Sequence, residues 1–322
     1  MIATLPEALA TAVEAEVAEH DPAAIRTAAA ALSEAYRGQS TIACTLSPVE
    51  RAAYLAVRFP STFASAAAVW SELANVCDLS HVRTALDVGA GPGTASLAAY
   101  SVLPNATFSL FERDSGWRQT AAKLATALEI ESTFRVGALP GALTPHDIVV
   151  SAYALNELAE PERAKAIAAL WPAARVALIV LEPGTPKGFA VCEMARTQAL
   201  AAGAHAAAPC THNDRCPMTT DDWCHRPVRV ARSAIHRAAK LGSLAHEDEK
   251  FSYIVLTRDP PRRTAPARIV RKPIRNTGHV HIDLCNAGGL QRTTVTRRDK
   301  ANYRGARDAE WGGVWPPDQT GG

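Results

Sequence analysis

Four of the chain's seven cysteines have a spacing that could hold a metal group. Cys210, Cys216 and Cys224 share one short segment, PCTHNDRCPMTTDDWC, and Cys285 follows later. The segment is too polar for a core strand and too interrupted by proline for a good helix. Thiolates gathered on an irregular loop favour zinc or iron–sulfur binding, because sulfur is a soft ligand. The alternative is a set of unrelated free thiols, since cysteine often behaves as a small buried hydrophobe.

The residues alone leave the identity of the metal open. The spacing C-x5-C-x7-C, with one distant cysteine, matches neither the paired C-x2-C of zinc ribbons nor the tight ferredoxin run. His212 and His225 lie close in sequence and keep a Cys3His zinc site possible. An iron–sulfur cluster, an all-cysteine zinc site and a mixed zinc site therefore all remain.

A glycine loop provides the second chemical signal. Asp87 ends an apolar stretch and Gly89, Gly91 and Gly93 follow it, directly before a predicted helix. Glycine allows a tight turn and a close approach to a ligand, and the amides at a helix start can hold a polar group. Glu112 ends the next predicted strand, where an acid can accept hydrogen bonds from a ribose diol. The sequence predicts a nucleotide-type cofactor here; a dinucleotide or a purely structural turn is the alternative.

The form of this loop, DVGAGPG, resembles motif I of class I S-adenosylmethionine-dependent methyltransferases. It differs from the GxGxxG dinucleotide fingerprint, because Ser96 stands where the third glycine would be. The resemblance implies that Gly89, Gly91 and Gly93 line the methionine and ribose side of S-adenosylmethionine and that Glu112 binds the ribose.

Candidate catalytic groups follow a later predicted strand. Tyr153 could stack on a base, and Asn156 or Glu157 could orient a donor, in the segment SAYALNEL. Tyr153 could equally well pack beneath the cofactor. Cys192 lies in a predicted helix, and we interpret it as structural. No catalytic residue is established by the sequence.

A basic segment follows the cysteine loop. PVRVARSAIHRAAKLG is predicted to be a helix starting at Pro227, with one basic face that could contact a nucleic-acid backbone: Arg229, Arg232, His236 and Lys240. The alternative is a solvated face without a partner.

Composition and charge limit the functional classes. The chain has 322 residues, of which 48% are hydrophobic and 20% charged, as in a globular protein. No stretch is long and apolar enough to cross a membrane. The N-terminus is acidic and has no signal-peptide or presequence pattern. Residues 258–307 contain thirteen Lys and Arg against three Asp, a net charge of +10, which favours a polyanionic partner.

Three regions must position these groups. Residues 1–82 predict a helical accessory domain, with helix starts at Asp21-Pro22 and at the capping box that begins at Ser47. Residues 83–258 alternate strand and helix, which predicts an α/β Rossmann-like sheet with the cysteine-rich insertion at 205–245. Residues 259–322 predict a small basic β extension that ends in a flexible tail from about residue 311.

Seven segments in order resemble one family: YLAVRFPSTFA, LDVGAGPGTASLAA, SAYALNEL, LEPGTPKGF, APCTHNDRCP, KFSYIVLTR and GHVHIDLC. These resemble the methyltransferase-like proteins of the mitochondrial small ribosomal subunit and their bacterial relatives. The resemblance implies a class I methyltransferase fold, S-adenosylmethionine, a 4Fe-4S cluster and action on small-subunit ribosomal RNA during assembly. It implies cluster ligands at Cys210, Cys216, Cys224 and Cys285.

The predicted function is accordingly an iron–sulfur-containing methyltransferase of small-subunit ribosomal RNA. One alternative is a non-catalytic RNA-binding assembly factor with a relict methyltransferase fold. Another is a small-molecule methyltransferase with a structural zinc site. We expect a monomer, in the cytoplasm of a bacterium because no mitochondrial presequence is recognised.

Overall fold

The computed structural model describes residues 2–36, 45–139, 141–219 and 221–316. They form a nine-stranded sheet with helices on both faces and a separate five-stranded sheet near the C-terminus. Within these described ranges, no helix has the length and hydropathy needed to span a bilayer. The α/β Rossmann-like architecture predicted from the sequence is confirmed.

The N-terminal region contains helices that pack on the sheet. Their bounds are α1 Glu7–Ala18, α2 Pro22–Tyr36, α3 Pro48–Val57 and α4 Phe59–Val76. Asp21 caps α2 by accepting the amide of Ala24 at 2.9 Å, and Ser47 and Glu50 form the predicted capping box of α3. The predicted end of α2 at Gly38 lies outside the described residues. Buried side chains of these helices join those of the sheet in one hydrophobic core, so the helices and the sheet are stabilised together.

Five parallel strands form the centre of the large sheet. Their bounds, and those of the helices between them, are β2 Thr84–Val88, α5 Thr94–Ala98, β3 Thr107–Glu112, α6 Arg118–Ala127, β4 Ser132–Val136, β5 His146–Ala152, α7 Glu160–Ala173 and β6 Ala174–Pro183. The spatial order β6-β5-β2-β3-β4 reverses direction beside β2. Ligands bind at such a switch point in open α/β sheets, and the glycine loop follows β2 there. Strand β4 was not predicted from the sequence, because its residues are exposed or half-buried.

The last crossover carries the cysteine segment. Helix α8 spans Pro186–Ala201, β7 His205–Ala208, β8 Arg226–Ala231, α9 Ala234–Lys240 and β9 His246–Thr257. Strand β9 runs antiparallel to β6, and β7 and β8 pair with it in succession. The N-terminal strand β1, Ile2–Ala3, pairs with β8. The cysteine segment is thus a loop between two pieces of one sheet edge.

The predicted helix from Pro227 is wrong. Residues 226–231 form β8 because Val228 and Val230 alternate with Arg229, which is the two-residue period of a strand. The helix begins only at Ala234, after Ser233 accepts the amide of His236 and caps its start. The basic residues therefore lie on a strand, a loop and a short helix instead of one stripe.

The C-terminal extension is a sheet with its own core. Its elements are β10 Ala267–Ile269, β11 Ile274–Asn276, β12 His279–Asn286, β13 Gly289–Thr296, α10 Lys300–Asp308 and β14 Val314–Trp315. The tail predicted to be flexible is ordered up to residue 316, since Trp315 is buried and pairs with Ala267 of β10. Residues 317–322 lie outside the described ranges. Helix α10 was not anticipated, because its sequence is strongly polar.

Candidate cofactor pocket and cysteine cavity

The glycine loop lines a pocket at the C-terminal edge of the parallel strands. Gly89, Gly91 and Gly93 have φ angles of +71°, +53° and +83°, which side chains rarely adopt. A Cβ atom on Gly89 would also lie 2.4 Å from the Cβ of Ala154 on the opposite wall. Both the backbone conformation and the close approach therefore require glycine.

Two buried carboxylates hold the loop. Asp87 accepts hydrogen bonds from the amide and hydroxyl of Ser96 at 3.1 and 2.9 Å. Burial raises the pKa of Asp87 to about 7, although the Ser96 hydrogen bonds oppose this. Glu112 accepts the amides of Gly91 at 2.9 Å and Asp114 at 2.8 Å. Both predicted acids are therefore at the pocket and already help to shape it.

Aromatic side chains close one side of this pocket. Tyr54 and Trp117 meet edge to face, with ring centroids 5.4 Å apart, and both line the cavity. The pocket thus combines flat apolar surfaces, backbone turns and carboxylates, a set that fits a nucleoside with a charged substituent.

The candidate catalytic residues differ in their availability. Tyr153 is buried with φ +57°, and its hydroxyl lies 3.1 Å from Ser65 Oγ and 3.2 Å from Glu249 Oε1. Glu157 lines the pocket with a side chain that is 23% exposed. Burial and the charge of Glu112 raise the pKa of Glu157 to about 7, against the effect of Arg113. Asn156 is half-buried beside it and is absent from the pocket lining. Glu157 is the candidate best placed to exchange a proton.

The four predicted cysteine ligands line a second cavity. Cys210, Cys216 and Cys224 lie on the loop between β7 and β8, and Cys285 lies on β12 opposite Arg268 of β10. The loop and the C-terminal sheet therefore meet at the thiols. No three His, Cys, Asp or Glu side chains in the described ranges have the spacing of a site for a single metal ion. Zinc held by four thiolates needs every sulfur about 2.3 Å from one point.

Burial and mutual repulsion keep these thiols protonated when no cation is present. Burial, together with the neighbouring Cys210, raises the pKa of Cys216 to about 12 and that of Cys285 to about 11. Burial also raises the pKa of Cys224, with further increases from the other three cysteines.

Two arginines at this cavity were missed by the sequence analysis. Arg196 of α8 and Arg268 of β10 line the cavity and are 3% and 6% exposed. An arginine in a helix or in a basic strand carries no local sign of burial. Only the packing of α8 and the C-terminal sheet around the loop brings them to the thiols.

The predicted RNA-binding residues are largely engaged by acids of β9. Arg229 forms a bidentate ion pair with Asp248, in which its Nε and Nη2 donate to the two carboxylate oxygens at 2.7 and 3.0 Å. Arg232 donates to Glu247 at 2.8 Å, Lys240 lies 3.4 Å from the same carboxylate, and His236 is fully buried. Burial would raise the pKa of Glu247, but hydrogen bonds from His236 and Arg232 hold it well below its usual range. The structure does not bring these four side chains together as an exposed surface.

Curated relatives match most of the chain. A human protein, the ribosome assembly protein METTL17, mitochondrial, is 26% identical over 82% of this chain and 62% of its own length. The Rsm22-cox11 tandem protein 2, mitochondrial, of Schizosaccharomyces pombe is 25% identical over 88% of this chain and 45% of its own length. The chain thus spans about half the length of these relatives.

The predicted bacterial cytoplasmic location is contradicted by these relatives. Both carry mitochondrial names. The prediction rested on the composition of the first residues, which does not determine the compartment.

Solved methyltransferase structures are similar to this chain at low identity. Magnesium protoporphyrin IX methyltransferase of Synechocystis, with bound SAH, is 14% identical with a TM-score of 0.43, over 62% of this chain and 84% of its own. Precorrin-6y C5,15-methyltransferase of Geobacter metallireducens is 13% identical with a TM-score of 0.39, over 60% of this chain and 85% of its own.

A family profile described as mitochondrial small ribosomal subunit Rsm22 matches residues 48–316. The match includes the glycine loop, the cysteine loop and the C-terminal sheet. The chain therefore belongs to the Rsm22 family.

Proposed function

We propose that this protein binds S-adenosylmethionine at the glycine loop and methylates small-subunit ribosomal RNA during ribosome assembly. The observation that carries the proposal is the pocket in which Gly89 approaches Ala154 and Glu112 faces the same space. Names of relatives that refer to the small ribosomal subunit and to ribosome assembly support the choice of substrate.

The pocket residues fit the parts of the cofactor. Glu112 would exchange its hydrogen bond with the Gly91 amide for the ribose hydroxyls, and the Tyr54 and Trp117 rings would contact flat apolar surface. Asp87 would keep the loop in its turn through Ser96. The bound cofactor would supply an electrophilic methyl group.

Glu157 is the residue we assign to proton transfer. Its pKa of about 7 lets the carboxylate accept a proton from a nucleotide nitrogen or hydroxyl near neutral pH. Tyr153 would only line the pocket, because its hydroxyl is already hydrogen-bonded to Ser65 and Glu249. Asn156 would orient the target base from the adjacent turn.

The C-terminal extension is the proposed contact with RNA. Several of its basic residues pair with acids, such as Arg268 with Glu72 and Arg292 with Asp283. The turn after β13 and helix α10 present exposed basic side chains next to Tyr303: Arg297, Arg298, Lys300, Arg304 and Arg307. Exposed cations beside an aromatic ring are suited to a phosphate backbone and an unpaired base.

A 4Fe-4S cluster held by Cys210, Cys216, Cys224 and Cys285 is part of the proposal. All four thiols line one cavity, yet no three His, Cys, Asp or Glu side chains of the described ranges have single-ion spacing. The choice of a cluster over zinc rests on the family resemblance of the sequence, since both groups take thiolate ligands. The cluster would join the loop of the large sheet to the C-terminal sheet.

A second candidate is a non-catalytic assembly factor that keeps the fold and the RNA contact. The engaged Tyr153 hydroxyl and the Glu112 carboxylate closed onto Gly91 favour it, because both groups are occupied within the protein. In this case the pocket would bind the cofactor without transfer.

A methylation map of small-subunit ribosomal RNA separates the two candidates. Cells lacking the protein should lack at least one methyl group, which returns with the wild-type protein and does not return with Gly89→Ala or Glu157→Gln. A complete set of methyl groups in the deleted cells would contradict methyl transfer and leave the assembly role, which is then scored by subunit profiles.

A further inference from the structure

Arg196 is a buried cation with incomplete charge compensation. Its Nη2 donates to the carbonyl oxygens of His212 at 3.1 Å and Asp214 at 2.5 Å. The nearest carboxylate, Glu193, lies 3.9 Å away and is partly exposed. The Nε–H of Arg196 is buried and has no hydrogen-bond partner in the described ranges. An arginine buried in this way costs free energy unless an anion accompanies it.

Arg268, on the other side of the cavity, has a carboxylate within hydrogen-bond distance of its guanidinium. Its guanidinium donates to both oxygens of Glu72 at 3.2 and 3.1 Å, and to the carbonyls of Pro209 and Gly312. Arg226 also pairs with Glu72, at 2.7 Å. The fold therefore provides a carboxylate for Arg268 and provides no equivalent partner for Arg196.

The remaining groups near Arg196 that become anionic on metal binding are the thiols of the cavity, because they bind a metal only as thiolates. The cavity that these cysteines line is the one that Arg196 lines. Four thiolates around zinc, or around an oxidised four-iron cluster, carry a net negative charge. A metal–thiolate group would therefore supply the anion that Arg196 lacks.

We propose that Arg196 balances the negative charge of the metal–thiolate group, and that its Nε–H donates a hydrogen bond to a cysteine sulfur. The proposal rests on the metal site of the proposed function and holds for zinc and for iron–sulfur. Arg196 is a positioning residue in this account, because it acts through the ligands. Hydrogen bonds and charges next to ligands set metal affinity and reduction potential.

The competing explanation is that Arg196 only fixes the loop through the carbonyls of His212 and Asp214. Two substitutions separate these roles. Arg196→Lys keeps the charge and loses the forked donor, whereas Arg196→Gln removes the charge and keeps a donor. A charge-balancing role predicts that the Lys variant retains more metal than the Gln variant; a carbonyl clamp predicts equal damage.

The test uses full-length protein, reconstituted anaerobically with iron and sulfide and separately with Zn²⁺ alone. Metal retention against a chelator and thermal unfolding, with and without metal, are measured for wild type and both variants. We expect Arg196→Gln to weaken metal retention about ten-fold or more. We expect its metal-free form to unfold at the same or a higher temperature than wild type, because an uncompensated charge has been removed.

The outcomes are distinguishable. Wild-type protein that takes up neither iron–sulfur nor zinc would overturn the metal site, and the role of Arg196 with it. Metal uptake by wild type with equal retention in Arg196→Gln would overturn the role of Arg196 alone. Equal destabilisation of the metal-free and metal-loaded Gln variant would also overturn it, in favour of the carbonyl clamp.

Discussion

The glycine-loop pocket and the cysteine cavity differ in how completely the polypeptide provides partners for the polar and charged groups that line them. In the glycine-loop pocket, Asp87 and Glu112 already accept backbone and side-chain hydrogen bonds. In the cysteine cavity, burial holds the thiols in their protonated form and the Nε–H of Arg196 has no described partner. The first pocket is formed by the chain alone, whereas the second has charges that an added group would compensate.

The difference follows from the elements around each cavity. The pocket lies on the switch point of a parallel sheet, where strand ends and a helix start fix the loop. The cysteine cavity lies between an irregular loop and a strand of another sheet with its own core. A metal group would therefore matter more for joining the two sheets than for the shape of the cofactor pocket.

The largest expected effect comes from breaking the contact between loop and C-terminal sheet. Cys285→Ser removes one thiolate from the cavity and should abolish stable metal binding, because structural sites need all their ligands. RNA affinity should fall before S-adenosylmethionine affinity does. Metal content, RNA affinity and S-adenosylmethionine affinity are all measured on the same preparation of the variant.

Cys77→Ser is the matched control, since Cys77 is half-buried and does not line the cavity. It should keep the wild-type metal content. Equal loss of RNA and S-adenosylmethionine binding in Cys285→Ser would contradict the separation of the two regions.

The second-largest expected effect comes from adding a side chain at the glycine-loop pocket. Gly89→Ala places a Cβ atom against Ala154 and strains a residue with φ +71°. Relief of the steric contact and of about 1–3 kcal/mol of backbone strain would shift the loop out of its binding conformation, and we expect roughly a ten-fold loss of S-adenosylmethionine affinity. Calorimetric titration measures the loss, and metal content should stay unchanged.

Gly203→Ala provides the control for strain without contact. Gly203 has φ +85°, and no atom outside its immediate neighbours lies within 4 Å of the position that a Cβ would take. The substitution should lower stability and leave cofactor affinity intact. A similar loss of affinity in both variants would show that general destabilisation, and not the pocket, explains the result.

A smaller effect concerns Glu182 of β6, which lies between the glycine-loop pocket and the cysteine cavity. One of its oxygens accepts the Leu155 amide at 3.0 Å, and the other is buried without a described partner. Ser252, which pairs with Glu182 on the adjacent strand β9, donates a hydrogen bond from its hydroxyl to the carbonyl oxygen of Cys224 at 2.8 Å. Burial raises the pKa of Glu182 to about 8, so the folded chain keeps the carboxyl neutral.

The sign of the pH dependence follows. The pKa of Glu182 is higher in the folded chain than in the unfolded chain. The contribution of its neutral carboxyl group to the free energy of unfolding is therefore complete below the unfolded pKa, and it is lost as the pH rises toward about 8. Glu182→Gln cannot ionise, so the wild type should lose stability relative to this variant between pH 5 and 9. A pKa difference of one unit corresponds to about 1.4 kcal/mol. Parallel denaturation curves across this range would contradict the assignment.

The smallest effect concerns the basic residues that the sequence analysis grouped as one helical face. Arg229→Ala removes an exposed, solvent-screened pair with Asp248 and should change stability little. It should leave RNA affinity nearly unchanged, while Arg304→Ala on α10 should lower it and reduce its salt dependence. Filter binding at several salt concentrations tests this; a larger loss from Arg229→Ala would restore β8 as the RNA contact.

Local patterns predicted the pocket better than the cavity. The glycine loop, Glu112 and the strand–helix alternation depend on residues near each other in sequence, and the structure brings them together as expected. The four cysteines also line one cavity, and their role as metal ligands stays a prediction. Arg196 and Glu72 could not be anticipated, because their burial depends on long-range packing.

The basic segment at 229–240 shows why periodicity can mislead. Spacings of three and four residues placed its charges on one predicted helix, while the two-residue alternation of Val228 and Val230 was the signal that the fold follows. The acids of β9 that neutralise those charges become neighbours only through strand pairing.

The most direct test of the central claim is a titration of S-adenosylmethionine into full-length protein, once with metal and once without. The account predicts saturable binding of one molecule per chain in both states, with similar affinity, because the chain alone forms the pocket. Absence of binding in both states would contradict the cofactor assignment.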